Sequence, residues 1–304
     1  MTTLSELEKL RKSAKFFLVL NIVIVVVATP FWPSPISIAL CIIGGILFLT
    51  VVRKKMTGYK SAFKSNIVKA SLAEVFSELS YESDQGVSAE EVKNSELVDL
   101  KDEFNSNDLI IAKYGKVRFK QADIAISEKS KRVGEDGIPH EETKICFTGR
   151  FLVFDFLKPT DAPVKVMGKS FSPESFNQGV ISALTSRLIV AENKHQVFME
   201  SELFNNNFNV FCSDAQTAFY ILTPQIVEAI TMLSKQYQGK IALCFRDKKM
   251  FVAISSKKDS LEAKLISNRT IWEEKELVLK DIKVITDFIN LMSLENNTLV
   301  AASN

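Results

Sequence analysis

The chain has 304 residues, of which 46% are hydrophobic and 24% charged, a composition that excludes a fibrous or disordered protein. The net charge of +2 hides an asymmetry. Residues 1–65 carry nine bases and two acids, which leaves the remainder with 29 of the 38 bases and 34 of the 36 acids. An acidic remainder without a basic stripe argues against nucleic-acid binding.

Two uncharged apolar stretches dominate the N-terminal part of the chain. They cover residues 16–32 and 36–52, each 17 residues long, which is near the lower limit for crossing a bilayer. The Pro-Ser-Pro sequence at 33–35 allows only a turn. We therefore predict a transmembrane helical hairpin, with Trp32 at the membrane interface. A signal peptide and a buried core hairpin are the alternatives. The second span, which follows at once, disfavours a signal peptide, and the basic flanks disfavour a buried core hairpin.

The basic residues around the hairpin predict its orientation. Four bases lie in residues 1–15, none lies in the turn, and five follow the second span. The positive-inside rule places both flanks in the cytosol. We expect a protein of the cytoplasmic membrane with two spans and cytosolic termini. Arg53, Lys54 and Lys55 are expected at the membrane interface.

Residues 53–104 are predicted to form a basic, helical juxtamembrane neck. Apolar residues recur at helical spacing up to Leu79, and a loop at 83–86 is expected to end this helix. Ser88 with Glu91 matches a capping box, which predicts a short second helix.

Residues 105–294 are predicted to form one cytosolic α+β domain with a mainly antiparallel sheet. Two strands are expected around Tyr114-Gly115, a strong strand at 144–156, and a hairpin around residues 247–249. The polar stretch 127–143 is predicted to be a loop. Further strands are expected at 164–167, 186–192 and 208–212.

Helices are predicted in the second half of this domain. One is expected at 173–184, and Asp214 is a suitable N-cap for the next. Thr223-Pro224 predicts the start of a third helix, which ends before Gly239. A C-terminal helix over 273–294 carries an apolar stripe that packs on the sheet or, alternatively, on a second subunit. Residues 295–304 are predicted to be a flexible tail.

Three sequence blocks carry a family resemblance: FTGRFLVFDFLKP at 147–159, FNVFCSDAQTAFYILTPQIVEAI at 208–230 and KIALCFRDKKMFVAI at 240–254. Together with the basic start and the two-span hairpin, they resemble the bacterial membrane-protein family called domain of unknown function 3137. The resemblance covers nearly the whole chain, but residues 160–185 match only loosely. It implies a bacterial integral membrane protein with no known activity and no established catalytic residues.

Catalytic and cofactor motifs are weak. Gly168-Lys169-Ser170 resembles the end of a phosphate-binding loop, but proline occupies position 163, where that loop needs glycine. The two histidines are far apart and no CxxC spacing occurs, so neither a metal site nor a cofactor is expected. Three cysteines stand singly in apolar runs and are predicted to be buried, reduced thiols: Cys146, Cys212 and Cys244.

Three charged residues are candidate ligand or partner contacts: Arg150, Asp155 and Asp214. The odd spacing of Arg150 and Asp155 predicts opposite faces of one strand. Arg150 is suited to a lipid phosphate or a partner carboxylate, and a strand-edge charge is the alternative. Helix capping alone accounts for Asp214.

The sequence favours a membrane-anchored binding or scaffolding module over an enzyme. Its expected partners are the lipid bilayer and either a protein or a second copy of the chain. The alternative is a membrane-bound enzyme of unrecognised class, whose site is assembled from distant segments. A pocket that converges on Asp155, Asp214 or Cys146 would favour that alternative.

Overall fold

The structure is a computed structural model that describes residues 4–133, 139–156, 158–171, 195–256 and 261–294. The helix expected at 173–184, the strand expected at 186–192 and the expected tail lie outside these residues. The chain divides into two compact units. The first spans Met1–Val75 and Ser260–Ile282, and the second spans Phe76–Asp259 and Lys283–Asn304.

The first unit begins with two long apolar helices. Both helices are long and apolar enough to cross a membrane. They cover residues Leu4–Phe31 and Pro35–Val75. Ser34 caps the second helix and proline occupies its first turn. The segments, in chain order, are α1 (Leu4–Ala28), a 3-10 turn (Thr29–Phe31), α2 (Pro35–Leu47), a π turn (Phe48–Val52), α3 (Arg53–Phe63), a π turn (Lys64–Val68) and α4 (Lys69–Val75).

One buried polar contact joins α1 to α2. The Nδ2 of Asn21 donates a hydrogen bond to the backbone carbonyl of Gly44 at 2.7 Å. A Cβ at Gly44 would lie 3.5 Å from the Val25 side chain, at ordinary van der Waals contact, so α1 and α2 are closely packed here. The polar residue in the first apolar stretch therefore satisfies its hydrogen bonding within the hairpin.

The C-terminal part of the first unit is bound to the two basic flanks of the hairpin. The guanidinium of Arg11 donates hydrogen bonds to the backbone carbonyls of Arg269, at 2.5 Å, and Ser267, at 2.7 Å. Glu262 forms an ion pair of 2.8 Å with Lys60. These contacts link segments that are about 200 residues or more apart in sequence.

The second unit is built on one antiparallel sheet. Its described strands follow the order β1-β2-β3-β4-β9-β8-β5-β7-β6, which confirms the predicted α+β class. The strands are β1 (Ser77–Glu82), β2 (Glu103–Tyr114), β3 (Val117–Val133), β4 (Pro139–Asp155), β5 (Val164–Gly168), β6 (Gln196–Val197), β7 (Phe208–Phe211), β8 (Ile241–Arg246) and β9 (Lys249–Ser255).

Five described helices accompany these strands. Ser88 caps the first of them as predicted, since its Oγ accepts a hydrogen bond from the Glu91 amide at 3.1 Å. The C-terminal helix begins in the first unit and ends in the second. The helices are α5 (Ala89–Ser95), α6 (Glu202–Asn207), α7 (Ala215–Ile221), α8 (Pro224–Gln236) and α9 (Ile271–Leu291).

The predicted end of the neck helix is wrong. The helix ends at Val75, and Ser77–Glu82 instead pairs antiparallel with β2 as an edge strand. Glu78 adopts a φ of 50°, which is incompatible with a continued α-helix. Hydrogen bonding to β2 therefore overrides the helical apolar spacing.

The predicted loop at 127–143 is also wrong. Strand β3 continues to Val133 and β4 begins at Pro139, so these polar residues pair across a hairpin. Opposite charges face each other in this register: Glu128 opposite Lys144, and Lys131 opposite Glu141. The described pairing of β2 with β3 ends at Ser127, so residues 127–133 and 139–145 form a hairpin arm that extends beyond β2. The described side chains of this arm are mostly exposed, which suits polar residues.

Strand β4 is buried on both faces. One face carries Phe151, which packs with Ala122 of β3 and Val92 of α5. The other carries Phe154, whose ring stacks on Phe288 of α9 at a centroid distance of 5.9 Å. The core of the second unit therefore has two layers, one on each side of the sheet.

We expect Gly149→Ala to lower the free energy of unfolding by about 1–3 kcal/mol, the usual range for overpacking. A Cβ at Gly149 would lie 2.0 Å from the carbonyl oxygen of Ile254 in β9. Gly58→Ala is the matched control, because a Cβ there has no neighbour within 4 Å. Denaturant unfolding of the full-length protein measures both variants, and equal midpoints would contradict the packing assigned to β4.

Candidate functional site

An apolar groove lies at the surface formed by helices α6, α7 and α8 of the second unit. We call it the α8 groove, and its volume is about 590 Å³. Residues of the segment before α6, of α6, of α7 and of α8 line it: Met199, Glu200, Ser201, Leu203, Phe219, Leu222, Pro224, Val227, Glu228, Thr231, Met232 and Lys235.

Local capping interactions hold the groove walls in place. Asn205 of α6 clamps the preceding segment, since its Oδ1 accepts from the Met199 amide at 2.9 Å and its Nδ2 donates to the Met199 carbonyl at 2.7 Å. Ser201 caps α6 by accepting from the Phe204 amide at 3.2 Å. The start of α8 has Thr223 at the N-cap with Pro224 after it, as predicted.

One face of helix α8 is buried in the core, and another face lines the groove. Ile230 and Leu233 are completely buried, whereas Val227 and Met232 lie on the outer face that forms the groove. Val227 therefore does not share the buried face of α8. Its side chain is only half-buried, because it belongs to the groove wall.

The groove exposes large apolar side chains. Leu203 is 62% exposed, Phe219 48% and Met232 45%. Glu200 and Glu228 lie among the lining residues with one base, Lys235. A contiguous apolar surface bordered by charges is typical of a protein-binding site.

Arg150 is buried in the middle of the sheet. Its residue is 6% exposed, and β4 pairs with β3 on one side and β9 on the other. The interpretation of Arg150 as a strand-edge charge is therefore wrong. Asp123 lies directly opposite in the register, so opposite charges occupy neighbouring positions on one face.

The other candidate contacts do not converge on Arg150. Asp155 ends β4, opposite Lys249, and strand geometry puts it about 17 Å from Arg150 on the other face. Asp214 caps α7 as predicted, and the hydrogen bond from the Thr217 hydroxyl holds the pKa of its carboxyl below the usual value. Arg150 and Asp155 therefore do not belong to one site, and neither they nor Asp214 line the α8 groove.

The predicted interface residues are all exposed. Trp32, in the turn between the two long helices, is 66% exposed. Arg53, Lys54 and Lys55 are exposed at the start of α3. Their placement at a membrane interface stays a prediction.

A buried polar contact that sequence reasoning missed lies where β2 bulges. The Tyr81 hydroxyl donates to Asp108 at 2.5 Å, and the Asn107 side chain donates to the same carboxylate at 2.7 Å. Asp108 has a φ of 56° and is 1% exposed. These bonds stabilise the irregular β2 backbone and leave the carboxylate closed to solvent.

The phosphate-loop resemblance of Gly168 has a structural explanation. Gly168 ends β5, where a Cβ would lie 2.2 Å from the carbonyl oxygen of Gly239. Glycine is needed here for this close approach between two segments of backbone. The following residue, Lys169, donates its amide to the Asn207 carbonyl at 2.9 Å.

The three cysteines of the second unit are buried, as predicted. Burial raises the pKa of the Cys244 thiol to about 12 and also raises the pKa of Cys212. A cysteine nucleophile needs the opposite shift, because the thiolate is the reactive form. In the part of the chain that the structure describes, no cluster of three or more His, Cys, Asp or Glu residues is arranged to hold a metal ion.

The geometry defines an α+β unit that follows two apolar helices and carries an open apolar groove. Residues 145–294 match the family described as Protein of unknown function (DUF3137), which confirms the predicted resemblance over this part of the chain. The match includes the whole groove.

Two further comparisons provide no information on function. No curated protein matches the chain. The crystal structure of the mycobacterial trehalose monomycolate transport factor A, TtfA, is similar over 75% of this chain and 95% of that one, with 10% identity and a TM-score of 0.34. A similarity at this level carries no argument about function.

We expect iodoacetamide at pH 8 to leave Cys244 and Cys146 unmodified in the folded protein and to modify both after denaturation. Burial blocks access, and the raised pKa of Cys244 keeps its thiol protonated. Peptide mass spectrometry measures the modification, with Phe219→Cys as the exposed control. Rapid alkylation of native Cys244 would contradict its assignment as an inert packing residue.

Proposed function

We propose that this protein is a membrane-anchored module that binds a helix of a protein partner. Residues 16–52 would hold it in the bacterial cytoplasmic membrane, and the domain at 105–294 would lie in the cytosol. The length and hydropathy of the two N-terminal helices and the basic flanks support this anchoring.

The shape of the α8 groove carries the proposal. Its lining follows one face of α8 from Pro224 to Lys235, at intervals of three and four residues. The eleven steps from Pro224 to Lys235 correspond to about 17 Å of helix, or three turns. A groove of this length suits an amphipathic helix that inserts apolar side chains at positions i, i+3 or i+4, and i+7.

The chemistry of the lining residues restricts the class of helix that the groove would bind. Met199 and Met232 are flexible apolar side chains that adapt to different shapes, and Phe219 adds a rigid aromatic surface. The lining charges are two acids and one base, so the surface is net acidic by one charge. The expected partner is therefore a helix whose apolar stripe is flanked by Lys or Arg.

Anchoring favours partners at the same membrane surface. A domain held at the bilayer meets a membrane-bound partner at a high effective concentration, so a modest groove affinity is sufficient. A cytosolic helix of another membrane protein is the partner that this arrangement would bind best. The enzyme alternative is less well supported, because none of its candidate residues, Asp155, Asp214 and Cys146, lines the α8 groove.

We expect a photo-crosslinking residue at Met232 of the full-length protein to give one discrete adduct with another protein in living bacteria. Leu203→Asp should reduce this adduct at least about tenfold, since it places a charge in the apolar groove. The same photo-crosslinker at Ile145, which is 56% exposed on the hairpin arm, is the matched control.

Mass spectrometry of the adduct identifies the crosslinked peptide, and the melting temperature of Leu203→Asp should stay near that of the parent. Adducts only with lipid, with a second copy or within the chain would contradict the proposal. So would an adduct equally strong at Ile145. A crosslinked segment without a basic-flanked apolar stripe would exclude the partner class.

We expect a fluorescent protein fused after Asn304 to be cytosolic, and an alkaline phosphatase inserted at Ser34 to be active outside the membrane. The nine bases on the flanks and their absence from the turn predict this topology. Whole-cell fluorescence and phosphatase activity measure the two fusions. An active phosphatase after Asn304 would overturn the orientation.

A further inference from the structure

Two basic segments far apart in sequence meet in the first unit. Helices α1 and α3 are in contact, and the Lys55 ammonium lies 6.0 Å from the centre of the Phe17 ring. This contact brings the start of α3 alongside the basic end of α1. The exposed bases of both segments define what we call the basic collar: Lys9, Lys12, Lys15, Arg53, Lys54 and Lys55.

The structure separates these bases from three others with internal roles. Arg11 is buried and donates to two backbone carbonyls, as described above. Lys60 and Lys64 both form ion pairs with Glu262, at 2.8 and 3.1 Å. The collar bases instead face solvent, and the described Lys12–Glu8 pair is long, at 3.9 Å. Sequence alone does not distinguish the two groups.

The collar adjoins the exposed apolar surface of the hairpin. Phe16, 63% exposed, is four residues after Lys12 and one after Lys15, which corresponds to at most about 6 Å along a helix. Leu49, 64% exposed, precedes Lys55 by six residues, or about 9 Å. If the apolar surface lies in hydrocarbon, the collar lies in the headgroup layer.

We propose that the basic collar binds the phosphate-bearing headgroups of anionic phospholipids. Lysine and arginine near a membrane surface are attracted to anionic lipids, and a cluster of four to eight such residues beside a transmembrane helix is the usual arrangement. Continuity with the apolar surface favours lipid over a soluble polyanion. The inference rests on the proposed membrane anchoring.

The test uses the full-length protein purified in mild detergent with mixed phosphatidylglycerol and phosphatidylcholine. Native mass spectrometry counts the lipids that each chain retains. We expect preferential retention of phosphatidylglycerol, and at least a tenfold loss of that preference in the K12Q/K15Q/K54Q/K55Q variant. The matched control, K93Q/K116Q/K248Q/K249Q, removes four exposed lysines of the second unit and should keep the preference.

A collar variant with the parent's preference would overturn the inference, as would a control that loses as much. Displacement of phosphatidylglycerol by millimolar inorganic phosphate would show a site for soluble anions instead. Alkaline carbonate extraction of native membranes separates the two failures. Release of the protein would refute the anchoring itself, whereas retention without lipid preference would refute the lipid site alone.

Discussion

Burial of strand β4 on both faces is the constraint on which the second unit depends. Phe151 and Phe154 are completely buried on opposite faces, so both sides of the sheet need a covering layer. Helix α8 provides part of one layer through Ile230 and Leu233. Because those residues face the core, the side chains of Val227 and Met232 lie on the outer face of α8. The groove is thus a consequence of how the core is closed.

Local chemistry made many elements predictable from the sequence. Proline at 224 marked the start of α8, Asp214 was identified as a cap, and the turn at Asp247 was expected between two apolar strands. Alternation also placed Arg150 and Asp155 on opposite faces. These features depend on residues close together in the chain, so pattern and capping rules apply to them directly.

Features that depend on distant partners were not predictable. Arg150 is central because β9, about 100 residues later, pairs with β4. Ser77–Glu82 is a strand because β2 is available to pair with it. The hairpin arm has no apolar face to signal its strands. Helix α6 has only six residues, too few for a periodic pattern. For Arg150 and for Ser77–Glu82, tertiary pairing overrides the local pattern.

The groove was missed for a similar reason. Met199, Leu203, Phe219 and Met232 come from four separate segments, and each resembles a core residue by sequence. Only the fold shows that they line one groove, in which Leu203, Phe219 and Met232 are exposed. The two N-terminal helices were visible from the sequence because one uninterrupted apolar pattern encodes each of them. The basic collar, by contrast, could not be recognised from the sequence, because its two segments form one surface only through the contact between α1 and α3.

On the proposal above, a protein occupies the α8 groove when the chain is in its native membrane. Thiol labelling of Met232→Cys in inverted membrane vesicles, compared with the purified full-length protein, tests it most directly. We expect slow labelling in native vesicles and fast labelling after purification, with Ile145→Cys fast in both. Equally fast labelling of Met232→Cys in native vesicles and in the purified protein would contradict it.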